Sequence, residues 1–203
     1  MPSSLSLYRH FQTGNAAGHS LPLIQDKMYR IKLIRPRMDF AGQIMQYSCD
    51  FTEHDPSECM GGCGNLRKCL NAAEWIEGVE RLVSADSCPE GYAVSDTYLA
   101  VREPDNRLVG FIELRHSIDS TDLSEWAGHV GYSVRPSDRR RGHAKEMLRQ
   151  VLDRARELGM DRLLLCCDED NIASERTILA NGGRFERMTE INGRPVKRFW
   201  ITL

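Results

Sequence analysis

The stretch Val134-Arg135-Pro136-Ser137-Asp138-Arg139-Arg140-Arg141-Gly142-His143-Ala144 sets a basic, glycine-containing turn between a strand and an amphipathic helix. Upstream, Gly128-His129-Val130-Gly131-Tyr132-Ser133-Val134 reads as a strand. Its end is set by Pro136, because proline cannot donate to a sheet ladder and biases the residue before it away from helix. Downstream, Ala144, Met147, Leu148, Val151, Leu152, Ala155 and Leu158 recur at three- and four-residue spacing. That periodicity predicts a helix over 142–158 with one face in the core. The first turn of such a helix carries unpaired backbone N–H groups and the positive end of the dipole, so the turn suits an anionic phosphate.

Around this centre the chain reads as one domain. Its 203 residues fill one sizeable core, and 41% hydrophobic with 28% charged residues is an ordinary soluble composition. The division is an irregular arm over 1–27 and a folded domain over 28–203. A net charge of −2 argues against a generally basic nucleic-acid binder. Met1 to Lys27 lacks a long apolar run behind a basic end, so neither a signal peptide nor a membrane span is expected and the location is cytoplasmic. Seven cysteines, an odd number, are then read as reduced thiols.

Tyr29 to Arg35 alternates as a first strand, and Phe40, Ile44 and Tyr47 give the stripe of a short helix. Ser48 to Gly64 reads as a long irregular insertion. Asn71 caps a second helix that turns Trp75, Val79, Leu82 and Val83 inward. Thr97 to Val101 and Leu108 to Leu114 form a hairpin across Pro104-Asp105-Asn106, followed by the strand at Val130 to Val134. Arg162 to Cys167 is apolar nearly throughout, as a central strand is. The helix between those last two strands predicts a crossover with parallel strands. Asn171 to Asn181 reads as a short helix ended by Gly182-Gly183, and Ile191-Asn192-Gly193 as the turn of a last hairpin. The fold class is α/β, a single-domain mixed sheet flanked by helices.

Arg139 to Ala144 follows an R-x-x-G-x-A pattern, in which Gly142 lets a phosphate approach the backbone and Ala144 keeps the helix start close to the sheet. With Gly128 through Ala144, and Asn171-Ile172-Ala173-Ser174 after the next strand, the chain resembles the GCN5-related N-acetyltransferase (GNAT) superfamily, most strongly over Leu108 to Gly183. The resemblance implies an acyl-CoA N-acyltransferase-like fold with acetyl-coenzyme A as acyl donor. It implies that Val134, Arg139, Arg140, Arg141, Gly142, His143 and Ala144 bind the coenzyme, the Arg139 to Ala144 turn cradling its pyrophosphate largely through backbone amides. It also implies that Asn171 and Ser174 meet the coenzyme arm, and that the Val130 strand splays from the Leu163 strand to admit it. Asn171 and Ser174 equally suit plain capping of their helix. Many relatives carry a tyrosine in this last helix to protonate the departing thiolate. The matching residue is Ile178, a core residue, so another tyrosine or water must serve.

Acetylation of an amine needs a group to take its proton. Glu113, which interrupts an apolar strand, Glu125, just before the strand at Val130, and His129, on that strand, are the candidates. Each has a plain alternative: a charge on the wet face of a strand, a solvated loop carboxylate, and a hydrogen-bonded histidine. Backbone N–H groups at Val130 or Tyr132 suit the oxyanion. His54, Cys59, Cys63 and Cys69 lack paired zinc-knuckle spacing, so no metal is expected. The leading function is acetyl transfer from acetyl-coenzyme A to a primary amine of a small molecule or peptide by direct attack. No nucleic acid or membrane partner is expected. A non-catalytic acyl-coenzyme A binding or regulatory module is the alternative.

Overall fold

The computed structural model describes residues 30–118 and 127–203. The chain runs β1 (Ile31–Ile34), α1 (Ala41–His54), α2 (Ala72–Glu80), β2 (Ser95–Arg102), β3 (Arg107–Arg115), β4 (Val130–Val134), α3 (His143–Glu157), β5 (Arg162–Asp168), α4 (Ile172–Leu179), β6 (Arg184–Ile191) and β7 (Arg194–Thr202). It is a mixed α/β fold with a central sheet flanked by helices. The arm over 1–27 lies outside the described residues.

The sheet is built in two parts, β1-β2-β3-β4 and β5-β7-β6, both antiparallel. The parallel β4–β5 pair predicted from the crossover does not zip into a ladder. The residue two before β4, Gly128, meets β5 through an isolated bridge to Leu165. One face of the sheet packs on α3 and α4 through Met147, Leu148, Val151, Ile178, Leu163, Leu165 and Phe199. The other face packs on α1 and α2 through Ile44, Tyr47, Phe51, Trp75, Val79 and Phe111.

Local chemistry accounts for several element ends. Asn71 accepts the Glu74 amide at 3.0 Å to start α2, and the helix stops at Glu80, which leaves Val83 at the surface rather than in the core. Asn192 and Gly193, at φ 50° and 77°, form the left-handed pair that closes the β6–β7 hairpin. The first helix departs from expectation. It continues through Ser48 to His54, and Phe51 extends its buried stripe one turn beyond Tyr47. Only the part after His54 is irregular.

That irregular segment docks on β4. A Cβ on Gly61 would lie 2.6 Å from the Tyr132 carbonyl oxygen, and one on Gly62 would lie 2.6 Å from that of Gly131. Backbone rests on backbone here, which only glycine allows. Ser133 Oγ donates to the Gly61 carbonyl at 2.7 Å and accepts from Tyr47 Oη at 3.1 Å, pinning the segment from below.

Candidate active site

β4 organises the site because its two edges differ. The Arg115 amide donates to the His129 carbonyl at 2.8 Å and the Arg135 amide to the Val109 carbonyl at 2.8 Å. With Glu113 opposite Gly131 and Phe111 opposite Ser133, the ladder bonds fall on the odd-numbered residues of β4. The N–H and C=O groups of Val130, Tyr132 and Val134 therefore point away from β3, toward β5. No β5 ladder receives them, and among the described residues their N–H groups have no acceptor in the protein. Three successive unsatisfied donors along a strand edge match an extended amide-bearing ligand.

The gap is closed at one end. The His129 amide donates to the Leu164 carbonyl at 2.8 Å, and the Leu164 amide donates to His129 Nδ1 at 2.9 Å. A Cβ on Gly128 would lie 2.4 Å from the Leu164 carbonyl oxygen, so the strands touch at that level. His129 is buried and its Nδ1 lone pair is taken by the Leu164 amide. The structure thus gives His129 a clamping task, with no lone pair on Nδ1 left for an amine proton.

At the open end lies the turn before α3. Arg140 (φ 64°) and Gly142 (φ 79°) are both left-handed, and Gly142 is an N-cap that supplies no side-chain acceptor. The first amides of α3 therefore face the turn uncapped, as an anion site requires. His143 is buried beneath the turn, with Nε2 lacking a hydrogen-bond partner, and burial depresses its pKa while Asp138 opposes the shift. Ala144 is half-buried in the first turn of the helix.

The three arginines divide their tasks. Arg139 binds Glu58 at 2.6 Å, donates to the Val134 carbonyl at 3.2 Å and stacks over Phe51. Arg141 meets Asp138 at 3.1 Å, a buried carboxylate also held by Arg102 at 3.0 Å and Arg107 at 2.8 Å. Arg140 is exposed, and it alone of the three has no carboxylate partner among the described residues. The sequence treats these arginines as equivalent. Two of them brace the turn through Glu58 and Asp138, and the Glu58 pairing, 81 positions away, is one that local sequence does not reveal.

Glu113 is buried on the α1–α2 face beside Gly131. Its Oε1 accepts from Ser95 Oγ at 3.0 Å and its Oε2 pairs with Arg115 at 2.6 Å, while Arg115 also donates to the Gly128 carbonyl at 3.1 Å. The wet strand face of its plain alternative is not what surrounds it. Glu125 lies outside the described residues.

Across the gap, Asn171 accepts the Ser174 amide at 3.0 Å and so caps α4. Ser174 Oγ lies 2.7 Å from the hydroxyl of Tyr132. Ile178 is fully buried and packs on Gly183, where a Cβ would meet it at 2.4 Å, whereas its neighbour Leu179 is half exposed. Burial pushes the Cys166 and Cys167 thiols up to about 11, which makes both poor nucleophiles. Among the described residues no three His, Cys, Asp or Glu side chains converge as metal ligands, and no helix is long and apolar enough to cross a membrane.

Comparison with known proteins bears on the fold. In solved structures the chain is similar to RimL, a ribosomal L7/L12 alpha-N-protein acetyltransferase in complex with coenzyme A, at 16% identity and TM-score 0.62, over 85% of this chain and 94% of that one. It is similar to Mycobacterium smegmatis RimJ in complex with a coenzyme A disulfide, at 17% identity and TM-score 0.62, over 85% and 81%. A microcin C7 self-immunity acetyltransferase, MccE, in complex with acetyl-CoA and AMP shares 15% identity at TM-score 0.61, over 85% and 92%. Likeness at this identity speaks for the fold. No curated protein sequence matches. The profile of the acetyltransferase (GNAT) domain matches residues 43–184, well over half of the chain, and the protein belongs to the GNAT acetyltransferase family.

Proposed function

We propose that the protein transfers an acetyl group from acetyl-coenzyme A to a primary amine by direct attack of the amine on the thioester. The observation that carries this reading is the alignment of the unpaired Val130, Tyr132 and Val134 amides with the uncapped start of α3. A ligand with an anionic head and an amide-bearing arm satisfies both at once. The pyrophosphate would take the amides of the Arg139 to Ala144 turn, with Arg140 free to add charge. The pantetheine arm would follow the β4 edge past Val134 toward Val130, with Asn171 and Ser174 on its far side.

The acetyl group then lies near the closed end, where a Val130 or Tyr132 amide can receive charge from the carbonyl oxygen. The C–N bond forms, the C–S bond breaks, and the amine proton passes to a base. Glu113 is the base we favour: it sits beside Gly131 with its orientation fixed by Ser95 and Arg115, and would take the amine proton directly or through water. Glu125 remains a candidate. His129 contributes by holding β4 against β5. The acceptor amine is small or peptide-borne. Relatives named as ribosomal-protein acetyltransferases make a protein N-terminus the first acceptor to try.

Calorimetry with acetyl-coenzyme A, followed by release of free thiol in the presence of a panel of peptides and polyamines, tests the reading. We expect a binary complex before any acceptor is added and thiol release with at least one amine. Tight binding with no release across the panel would favour a non-catalytic acyl-coenzyme A module, a reading that the buried Ile178 keeps in view. No binding would overturn both.

A further inference from the structure

The leaving group needs a partner, and Ile178 cannot supply one. Tyr132 projects from β4 onto the α3–α4 face, and its hydroxyl stands where β4, the end of β5 and the first turn of α4 come together. Ser174 Oγ lies 2.7 Å away, and Thr177 and Cys167 are near neighbours. The same residue offers an unpaired backbone N–H to the gap. An arm running along the β4 edge from the α3 turn must pass this side chain before it reaches the clamp at His129, about 10–13 Å from the start of that edge.

We propose that the Tyr132 hydroxyl, braced by Ser174, is the hydrogen-bond donor that receives the departing coenzyme A sulfur. The inference rests on the acetyl-transfer reading above. Either oxygen of the Tyr132–Ser174 pair can be the donor. When the Ser174 hydroxyl donates to the tyrosine oxygen, the tyrosine proton has only the long contact to the Ser174 carbonyl at 3.4 Å among the described residues and turns to the sulfur when the thiolate forms. As the C–S bond breaks, its electron pair stays on sulfur and the Tyr132 hydrogen bond strengthens. Burial raises the Tyr132 pKa to about 12, well above the roughly 8.5 of a thiol, so the tyrosine keeps its proton. Tyr132 therefore stabilises a thiolate, and the coenzyme leaves as the anion or takes a proton from water. This differs from proton donation by a residue of the last helix, and it explains how the chain manages with Ile178 there.

The test needs no acceptor. Coenzyme A is bound to the wild-type protein and to Tyr132→Phe, binding is verified by calorimetry, and the bound thiol is titrated by the ultraviolet absorbance of the thiolate below the pH at which tyrosines ionise. In the wild type the thiol should titrate lower than in free coenzyme A. Tyr132→Phe should raise the midpoint by about one unit, a tenfold loss of acidity. Ser174→Ala should move it the same way by less. Equal midpoints in the wild-type and Tyr132→Phe complexes would overturn the role of Tyr132 and leave the coenzyme site standing. Failure of the wild type to bind coenzyme A would remove the parent reading too. If both variants fold but neither binds, Tyr132 and Ser174 are structural and the proposal fails.

Discussion

His129 and Leu164 exchange two hydrogen bonds, one from the His129 amide to the Leu164 carbonyl at 2.8 Å and one from the Leu164 amide to the imidazole Nδ1 at 2.9 Å. A side chain thus completes a contact that backbone alone completes elsewhere in the sheet. His129→Ala should cost about 1–3 kcal/mol of stability, because the buried Leu164 amide loses its acceptor. Urea denaturation measures this. A stability equal to wild type would mean that the clamp is not what joins the two halves.

Gly142→Val should weaken acetyl-coenzyme A binding by about 1–3 kcal/mol, roughly 5- to 150-fold, with the fold retained. The position has φ 79°, which a β-branched residue avoids, so the turn must rearrange around the first amides of α3. Calorimetry on a correctly folded variant decides it, and unchanged affinity would remove the turn from the coenzyme site.

Glu113→Gln should bind acetyl-coenzyme A normally yet acetylate more slowly at neutral pH, with partial recovery at higher pH as more amine becomes neutral. The change also breaks the pairing with Arg115, so circular dichroism and coenzyme affinity serve as controls. Superimposable pH–rate profiles would pass the role of base to Glu125.

Gly61→Ala should destabilise the protein by about 1–3 kcal/mol, since the new methyl would stand 2.6 Å from a main-chain oxygen of β4 that cannot retreat without disturbing the ladder to β3. Gly64→Ala tests strain without crowding, because nothing lies within 4 Å of a Cβ there although its φ is 52°. A milder effect for Gly64→Ala in thermal denaturation is expected. A milder effect for Gly61→Ala would contradict the docking of this segment.

Burial holds the His143 pKa below its ordinary value, so the folded protein resists a proton that the unfolded chain accepts. This contribution to stability is complete above about pH 6.5 and is lost as pH falls below it. Urea midpoints compared between neutral and mildly acidic buffer should fall less for His143→Gln than for the wild type. An equal fall would assign the acid sensitivity to other groups.

Much of this was legible in the residues themselves. The β4 limits follow from alternation and from Pro136, and the last hairpin follows from Asn192-Gly193, because both signals are local. The far end of α1 was hidden by its composition: Ser48, Cys49, Asp50, Thr52, Glu53 and His54 show one apolar partner, Phe51, whose value lies in the core it meets. The site shows the same division. A glycine opening α3 can be read from the chain, whereas Glu58 against Arg139, Gly61 against Tyr132 and Tyr132 against Ser174 join residues 42 to 81 positions apart. Nothing within a short window encodes them.

Asp138 has a consequence for how a ligand is met. One nearly inaccessible carboxylate holds Arg102 from β2, Arg107 from β3 and Arg141 from the turn itself, so the turn is fastened to the hairpin beneath it before any anion arrives. A receptor whose competent shape is already its ground state suffers no discount on its intrinsic affinity, whereas one that must first find that shape is weakened by the fraction of time it spends elsewhere. If the pyrophosphate sits at the Gly142 turn as proposed, the arginines gathered on Asp138 set how much of its binding energy is realised.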